Sequence, residues 1–217
     1  MNRIWKALHE GGIRRASRVL ANYLVDWLHD RRNCVRTGGL VPIETLIERW
    51  ENCHDYFPTS SATFRYAMAK VRLKTDQEVF LDYGSGMGRV VLMAARYPFR
   101  RVIGVEISAV LNEVARKNLD RLAGRRRCDC VELWTSDAAR FPVPDDVSVI
   151  FLYNPFHGDV LRQVLSNIRT SLDRLPRRIV MIFNNPVHFQ KCAAEYDWIV
   201  EKHHFCVEHE CVIYEAR

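Results

Sequence analysis

The stretch Val79-Phe-Leu-Asp-Tyr-Gly-Ser-Gly-Met-Gly-Arg89 admits few folds. Apolar residues lead into Asp82, glycines follow at 84, 86 and 88, and an apolar run begins at Val90. That order predicts a buried strand, a tight glycine turn and the start of a helix. Glycine lets a backbone come close to a ligand, and a helix start offers free N–H groups, so the turn suits a nucleotide-like ligand.

The glycine spacing narrows the choice. Dinucleotide sites use G-x-G-x-x-G; here the third glycine comes one residue early and Arg89 stands where that glycine would be. This disfavours an NAD-dependent oxidoreductase. Glu106 lies 18 residues beyond Gly88, at the end of the second predicted strand, Arg101 to Glu106. A carboxylate there is placed to accept hydrogen bonds from both ribose hydroxyls.

From residue 79 to about 195, predicted strands and helices alternate, which indicates an α/β fold with a doubly wound, mostly parallel sheet. Helices are expected at about 62–72, 88–96, 108–122, 158–173 and 187–195. Strands are expected at 130–135, 147–153 and 177–183, with a terminal antiparallel pair at 197–203 and 210–215. Val147 to Tyr153 is almost unbroken in apolar character, as a central strand covered on both faces requires.

The N-terminal part differs. Residues 1–74 hold 13 Lys/Arg against 7 Asp/Glu, whereas residues 75–217 hold 19 against 19. The excess of +6 therefore belongs to an N-terminal helical extension. Within it Ile13, Ala16, Leu20, Leu24, Trp27 and Leu28 recur at helical spacing, and such a stripe is expected to pack on its own domain. Its charge also suits an acidic partner, nucleic acid or a membrane surface. A second short helix is expected at about 43–51, then a polar loop at 52–61 with Ser60 or Ser61 capping the next helix.

The longest apolar runs are too short to span a bilayer, and Met1 to Leu20 is too charged for a signal peptide. Seven cysteines without a framework pattern suit free thiols in a reducing compartment, so a cytoplasmic location is expected. His203, His204, Cys206, His209 and Cys211 lie close in sequence, but strand alternation would separate them, and no metal is expected there.

Asp82-x-Gly84-x-Gly86-x-Gly88, followed by Glu106, resembles the first motifs of class I S-adenosylmethionine (SAM)-dependent methyltransferases. Around Thr37-Gly38, Tyr56 to Thr59, Tyr97 to Glu106 and Tyr153 to Phe156 the chain is similar to small bacterial methyltransferase-like proteins. More weakly, it is similar to seven-strand lysine methyltransferases. The resemblance implies a seven-stranded sheet of order 3-2-1-4-5-7-6 and a domain over 75–217, with 1–74 as a basic helical extension capping the pocket. It implies SAM as cofactor, held by Asp82, Gly84, Ser85, Gly86, Gly88 and Glu106, with Asp137 accepting from the adenine amino group. Tyr56 and Thr59 line the pocket from the preceding loop. Asn154-Pro155-Phe156 resembles the Asn-Pro-Pro-Tyr type of motif of amine-directed enzymes, which makes Asn154 the residue that orients a nitrogen nucleophile, an amine or protein lysine. Tyr56 and His157 are candidate proton acceptors or pocket walls. A small-molecule or protein acceptor is favoured over nucleic acid. The alternative is a non-catalytic SAM-binding or adaptor protein that presents its basic helix to a partner.

Overall fold

In the computed structural model, residues 3–42 and 56–217 are described. The helix expected at 43–51 and the first part of the 52–61 loop lie outside them. Seven strands form one sheet: β1 (Val79–Tyr83), β2 (Arg101–Glu106), β3 (Val131–Thr135), β4 (Val147–Tyr153), β5 (Ile179–Asn184), β6 (Ile199–Cys206) and β7 (Glu210–Ala216). Their order is β3-β2-β1-β4-β5-β7-β6, and β7 alone runs against the others. This is the order that the resemblance implied.

Alternation along the strands sorts the core into two layers. On one face Leu81, Tyr83, Ile103, Ile150 and Leu152 meet Leu161, Val164, Leu165 and Ile168 of α5 (Gly158–Arg174). On the other, Phe80, Val102, Phe151 and Ile182 meet α2 (Ser61–Lys70) through Phe64 and Ala67, and α3 (Arg89–Ala94) through Val90 and Val91. Each such side chain, once buried, contributes about 2 kcal/mol. Phe64 and Ala67 thus place α2 in the core of the sheet domain. Ser60 caps α2 by accepting from the Thr63 N–H at 3.2 Å, and Ser108 likewise caps α4 (Ala109–Arg121).

The helix expected at 187–195 is instead a series of turns ending in a short 3-10 segment, Ala193–Glu195. Phe189 stacks on Phe183 at 4.3 Å and meets Tyr214 edge-on. That anchor, close after left-handed Asn185 (φ 56°), fixes the segment before a helical nucleus can grow.

The larger departure concerns α1 (Arg3–Asn33), which bends at Gly12. Its apolar stripe does not pack on the domain: Ile13 is 79% exposed, Leu28 56%, Leu24 49% and Trp27 47%. Ala16 is the one member of the stripe that is buried. The inward side is largely polar, and each group has a partner. Asn22 Nδ2 donates to Glu208 at 2.8 Å. Asp26 accepts from the Ser61 N–H at 3.2 Å, at the positive end of α2, and pairs with Arg89 at 3.0 Å. Asp30 takes the other Arg89 nitrogen at 3.2 Å and both the N–H and the hydroxyl of Thr37 at 2.9 Å. Asn33 Oδ1 accepts from Arg96 and Arg125. A helix usually turns its apolar arc inward; here an acid pair with a buried cation to match holds it the other way round.

Asp26→Ala removes one carboxylate from Arg89 and the acceptor from Ser61. We expect urea denaturation to show a loss of about 3 kcal/mol, with folding still cooperative because Asp30 remains. An unchanged midpoint would mean that α1 is not held by this pair.

Candidate active site

The carboxyl ends of β1, β2 and β4 border a cleft lined by Tyr56, Phe57, Gly84, Glu106, Asp137, Tyr153, Pro155 and Phe156, among others. A smaller recess shares Tyr56, Phe57, Gly84 and Tyr153 with it and adds Thr59, Asp82, Ser85 and Arg89. A sheet places ligands at this edge, where the order reverses between β1 and β4.

The glycine turn is held from below. The N–H groups of Gly84 and Ser85 donate to the Val105 carbonyl at 2.9 and 3.0 Å. Glu106 then ties the turn to the next helix: Oε2 accepts from Gly86 N–H and Oε1 from Ser108 N–H, each at 2.8 Å. Glu106 also lines the cleft, and a carboxylate oxygen can accept more than one hydrogen bond. Burial raises the Glu106 pKa, and the backbone donors oppose that rise. Asp82 has no such donors. Burial pushes it well above the usual carboxylate range, and the Glu106 charge adds to the push. An oxygen pair so placed is matched by a cationic group on a ligand.

The three glycines have different tasks. Gly84, Gly86 and Gly88 have φ of 71°, 54° and 82°. A Cβ on Gly84 would stand 2.6 Å from Pro155 Cβ, so the turn and the β4 loop can meet only because it is absent. At Gly86 it would stand 2.1 Å from Tyr56 Cε2. The Tyr56 ring therefore lies directly on the turn, its hydroxyl donating to the Thr37 carbonyl at 2.8 Å and its backbone paired with Val41. Gly88 serves packing: its Cβ would press on Ala115 of α4 at 3.0 Å.

Of the sequence-predicted residues, Tyr56, Thr59, Asp82, Gly84, Ser85, Glu106 and Asp137 are brought together. The Ser85 hydroxyl, however, is buried without a hydrogen-bond partner, near the position a Gly104 Cβ would take. Asp137 Oδ1 accepts from Ala139 N–H at 2.9 Å and closes the β3 turn at the cleft edge. Gly86 and Gly88 shape the turn without lining the cleft. Asn154, at φ 41°, borders an adjoining hollow with Phe183 and Phe189; Pro155 and Phe156 line both this hollow and the cleft, and Tyr153 lines the cleft. His157 precedes α5 and stacks on His188 at 4.7 Å. Burial drives the Tyr56 hydroxyl far above its ordinary value, so it stays protonated. Tyr56 lines the cleft and the smaller recess alike.

Phe57, Tyr153 and Arg89 were missed. Phe57 meets Tyr153 edge-on at 6.2 Å, forming an aromatic wall of the cleft. Arg89 had a signal in the sequence: a cation at the start of a buried helix, with Asp26 and Asp30 one turn apart on another. Among the described residues no group of His, Cys, Asp or Glu is arranged to hold a metal. Among them, too, no helix is long and apolar enough to cross a membrane.

Gly86→Ala combines a strained φ with a collision against Tyr56. We expect a loss of about 2 to 3 kcal/mol in thermal or urea unfolding, part of it recovered when Tyr56→Ala is added. Equal losses with and without Tyr56 would show that the ring does not rest on the turn.

Comparison with known proteins agrees with this geometry. Residues 80–174 match a family model described as a methyltransferase domain. No curated protein matches the chain. Among solved structures, an RNA methyltransferase from Salinibacter ruber in complex with S-adenosyl-L-homocysteine is similar, with 24% identity and a TM-score of 0.50 over 74% of this chain and 92% of that one. Geranyl diphosphate C-methyltransferase from Streptomyces coelicolor A3(2) has 17% identity and a TM-score of 0.54, over 72% and 77% of the chains. Precorrin 8w decarboxylase from Methanobacterium thermoautotrophicum has 19% identity and a TM-score of 0.53, over 82% and 99%. At these identities the structures speak for the fold alone, which the chain shares with class I SAM-dependent methyltransferases, and residues 80–174 are similar to a methyltransferase domain.

Proposed function

We propose that this enzyme binds SAM along the cleft and transfers its methyl group to a nitrogen acceptor that enters between Tyr56, Phe57 and Tyr153. The observation that carries the cofactor seating is Asp82, a buried carboxylate with a raised pKa lining the recess beside the glycine turn. In this reading Asp82 takes the ammonium of the cofactor's amino-acid end, close to Thr59 and Gly84. Glu106 accepts from the two ribose hydroxyls, and Asp137 accepts from the adenine amino group. The sulfonium supplies an activated methyl group.

The chain's own contribution to transfer is positioning and exclusion of water. Pro155 against Gly84 fixes the β4 loop, and left-handed Asn154 makes the turn that puts it there. The aromatic walls attract an incoming ammonium by cation–π contact. Burial among them then favours the neutral amine, which is the nucleophile. Asn154, the orienting residue on the sequence reading, would act through its backbone turn, since it borders the adjoining hollow. The solved structures with this fold include an RNA methyltransferase and a C-methyltransferase, so the amine reading rests on the walls and on Asn154-Pro155-Phe156.

Calorimetric titration with S-adenosylhomocysteine, with NAD as control, is the test. Binding should weaken at least tenfold in Glu106→Ala and in Asp82→Asn, each of which removes a charged acceptor. The pH dependence has a definite sign. Burial raises the Asp82 pKa in the free protein and a bound ammonium would lower it, so affinity should rise with pH and level off once free Asp82 is ionised. Asp82→Asn should flatten that rise. A pH-independent affinity in wild type, or undiminished binding by Glu106→Ala, would overturn the seating. Transfer to amines is tested separately, with labelled SAM and a panel of amine and hydroxyl acceptors.

A further inference from the structure

The outward face of α1 is unusual in what it omits. Between Ile13 and Asn33 the only acids are Asp26 and Asp30, and both are turned inward onto Arg89. Arg14, Arg31 and Arg32 are exposed. Ile13, Leu20, Leu24 and Leu28 are exposed as well, with Tyr23 and Trp27 beside them. Arg31 lies over the Trp27 ring at 5.3 Å. The straight part of the helix is about 30 Å long and presents aliphatic, aromatic and cationic side chains without a negative charge.

We propose that this face docks on an anionic lipid surface, the helix lying in the headgroup plane. Three considerations select that occupant. The aliphatic arc matches an acyl boundary and has nothing to offer the phosphates and base edges of a nucleic acid. A second copy of the same face would bring like charges together, with no outward acid between Ile13 and Asn33 to offset them. Tyr, Trp and Arg are the residues that suit the boundary between headgroups and acyl chains. The polar inward face completes the case: Asn22, Asp26, Asp30 and Asn33 hold the helix to the domain and leave its apolar side turned out. This proposal is independent of the methyl acceptor.

Co-sedimentation of the full chain with vesicles tests it. Wild type should sediment with phosphatidylcholine vesicles containing phosphatidylglycerol and stay in solution with phosphatidylcholine alone. Leu24→Glu with Leu28→Glu should abolish sedimentation, and Arg31→Gln with Arg32→Gln should weaken it about fivefold for each charge removed. All four side chains are exposed, so unfolding midpoints should match wild type. The proposal fails if wild type ignores anionic vesicles or if the Leu24/Leu28 variant binds them as well as wild type. It fails equally if wild type binds duplex nucleic acid but not vesicles, or if ultracentrifugation shows a dimer that the Leu24/Leu28 variant splits.

Discussion

A guanidinium out of reach of water has to be matched, and in this protein the match decides how the part of α1 around Asp26 and Asp30 is turned. Arg89 opens α3 directly behind the glycine turn, and its side chain is almost fully buried. Asp26 and Asp30, one helical turn apart, take one nitrogen each. Removing either partner would strand charge in a low dielectric, so α1 and the glycine turn are tied together. The same carboxylates reach further. Asp26 also serves the start of α2, and Asp30 holds Thr37, whose carbonyl receives the Tyr56 hydroxyl. A chain of polar contacts thus runs from α1 to the ring that lies on Gly86.

The pH behaviour of this clamp follows from its charges. Burial opposes ionisation of Asp30, but His29, Arg89 and Thr37 together outweigh it and hold its pKa below 3.8. A carboxylate with a depressed folded-state pKa stabilises above its unfolded value and loses that contribution as pH falls through the folded one. The clamp is therefore intact near neutrality and weakens only in acid. Asp82 behaves oppositely, because burial raises its pKa and no cation among the described residues lowers it. Asp30 is paired within the fold, whereas Asp82 lines the recess beside the glycine turn.

Much of this was legible in the sequence, and the reasons are local. β1, the glycine turn and Glu106 are neighbours in sequence or one βα unit apart, so type and spacing alone could place them. The sheet strands announced themselves because both faces are covered, which demands near-continuous apolar runs such as Val147 to Tyr153. The orientation of α1 was not legible. Periodicity locates an apolar arc but assumes that it faces the core; here the partners of the opposite arc are Glu208, Ser61, Arg89 and Arg125, far away in the chain. The segment after Pro186 failed similarly, since Phe189 answers to Phe183 and Tyr214 and not to its own helical period. Asn154 illustrates a finer limit. Its motif was found, but the left-handed turn at Asn154 that accompanies the close approach of Pro155 to Gly84 depends on packing between loops.

The central claim is that the ligand cleft is built from the glycine turn, the ends of β2 and β3, and the Tyr56 segment anchored through Thr37. Hydrogen exchange of the wild-type protein with and without saturating S-adenosylhomocysteine tests it most directly. The account predicts slowed exchange at residues 84–88, 106–108 and 136–139 and around Tyr56, with the β6–β7 hairpin unchanged. Binding that leaves those segments unprotected, or that protects the hairpin in their place, would contradict it.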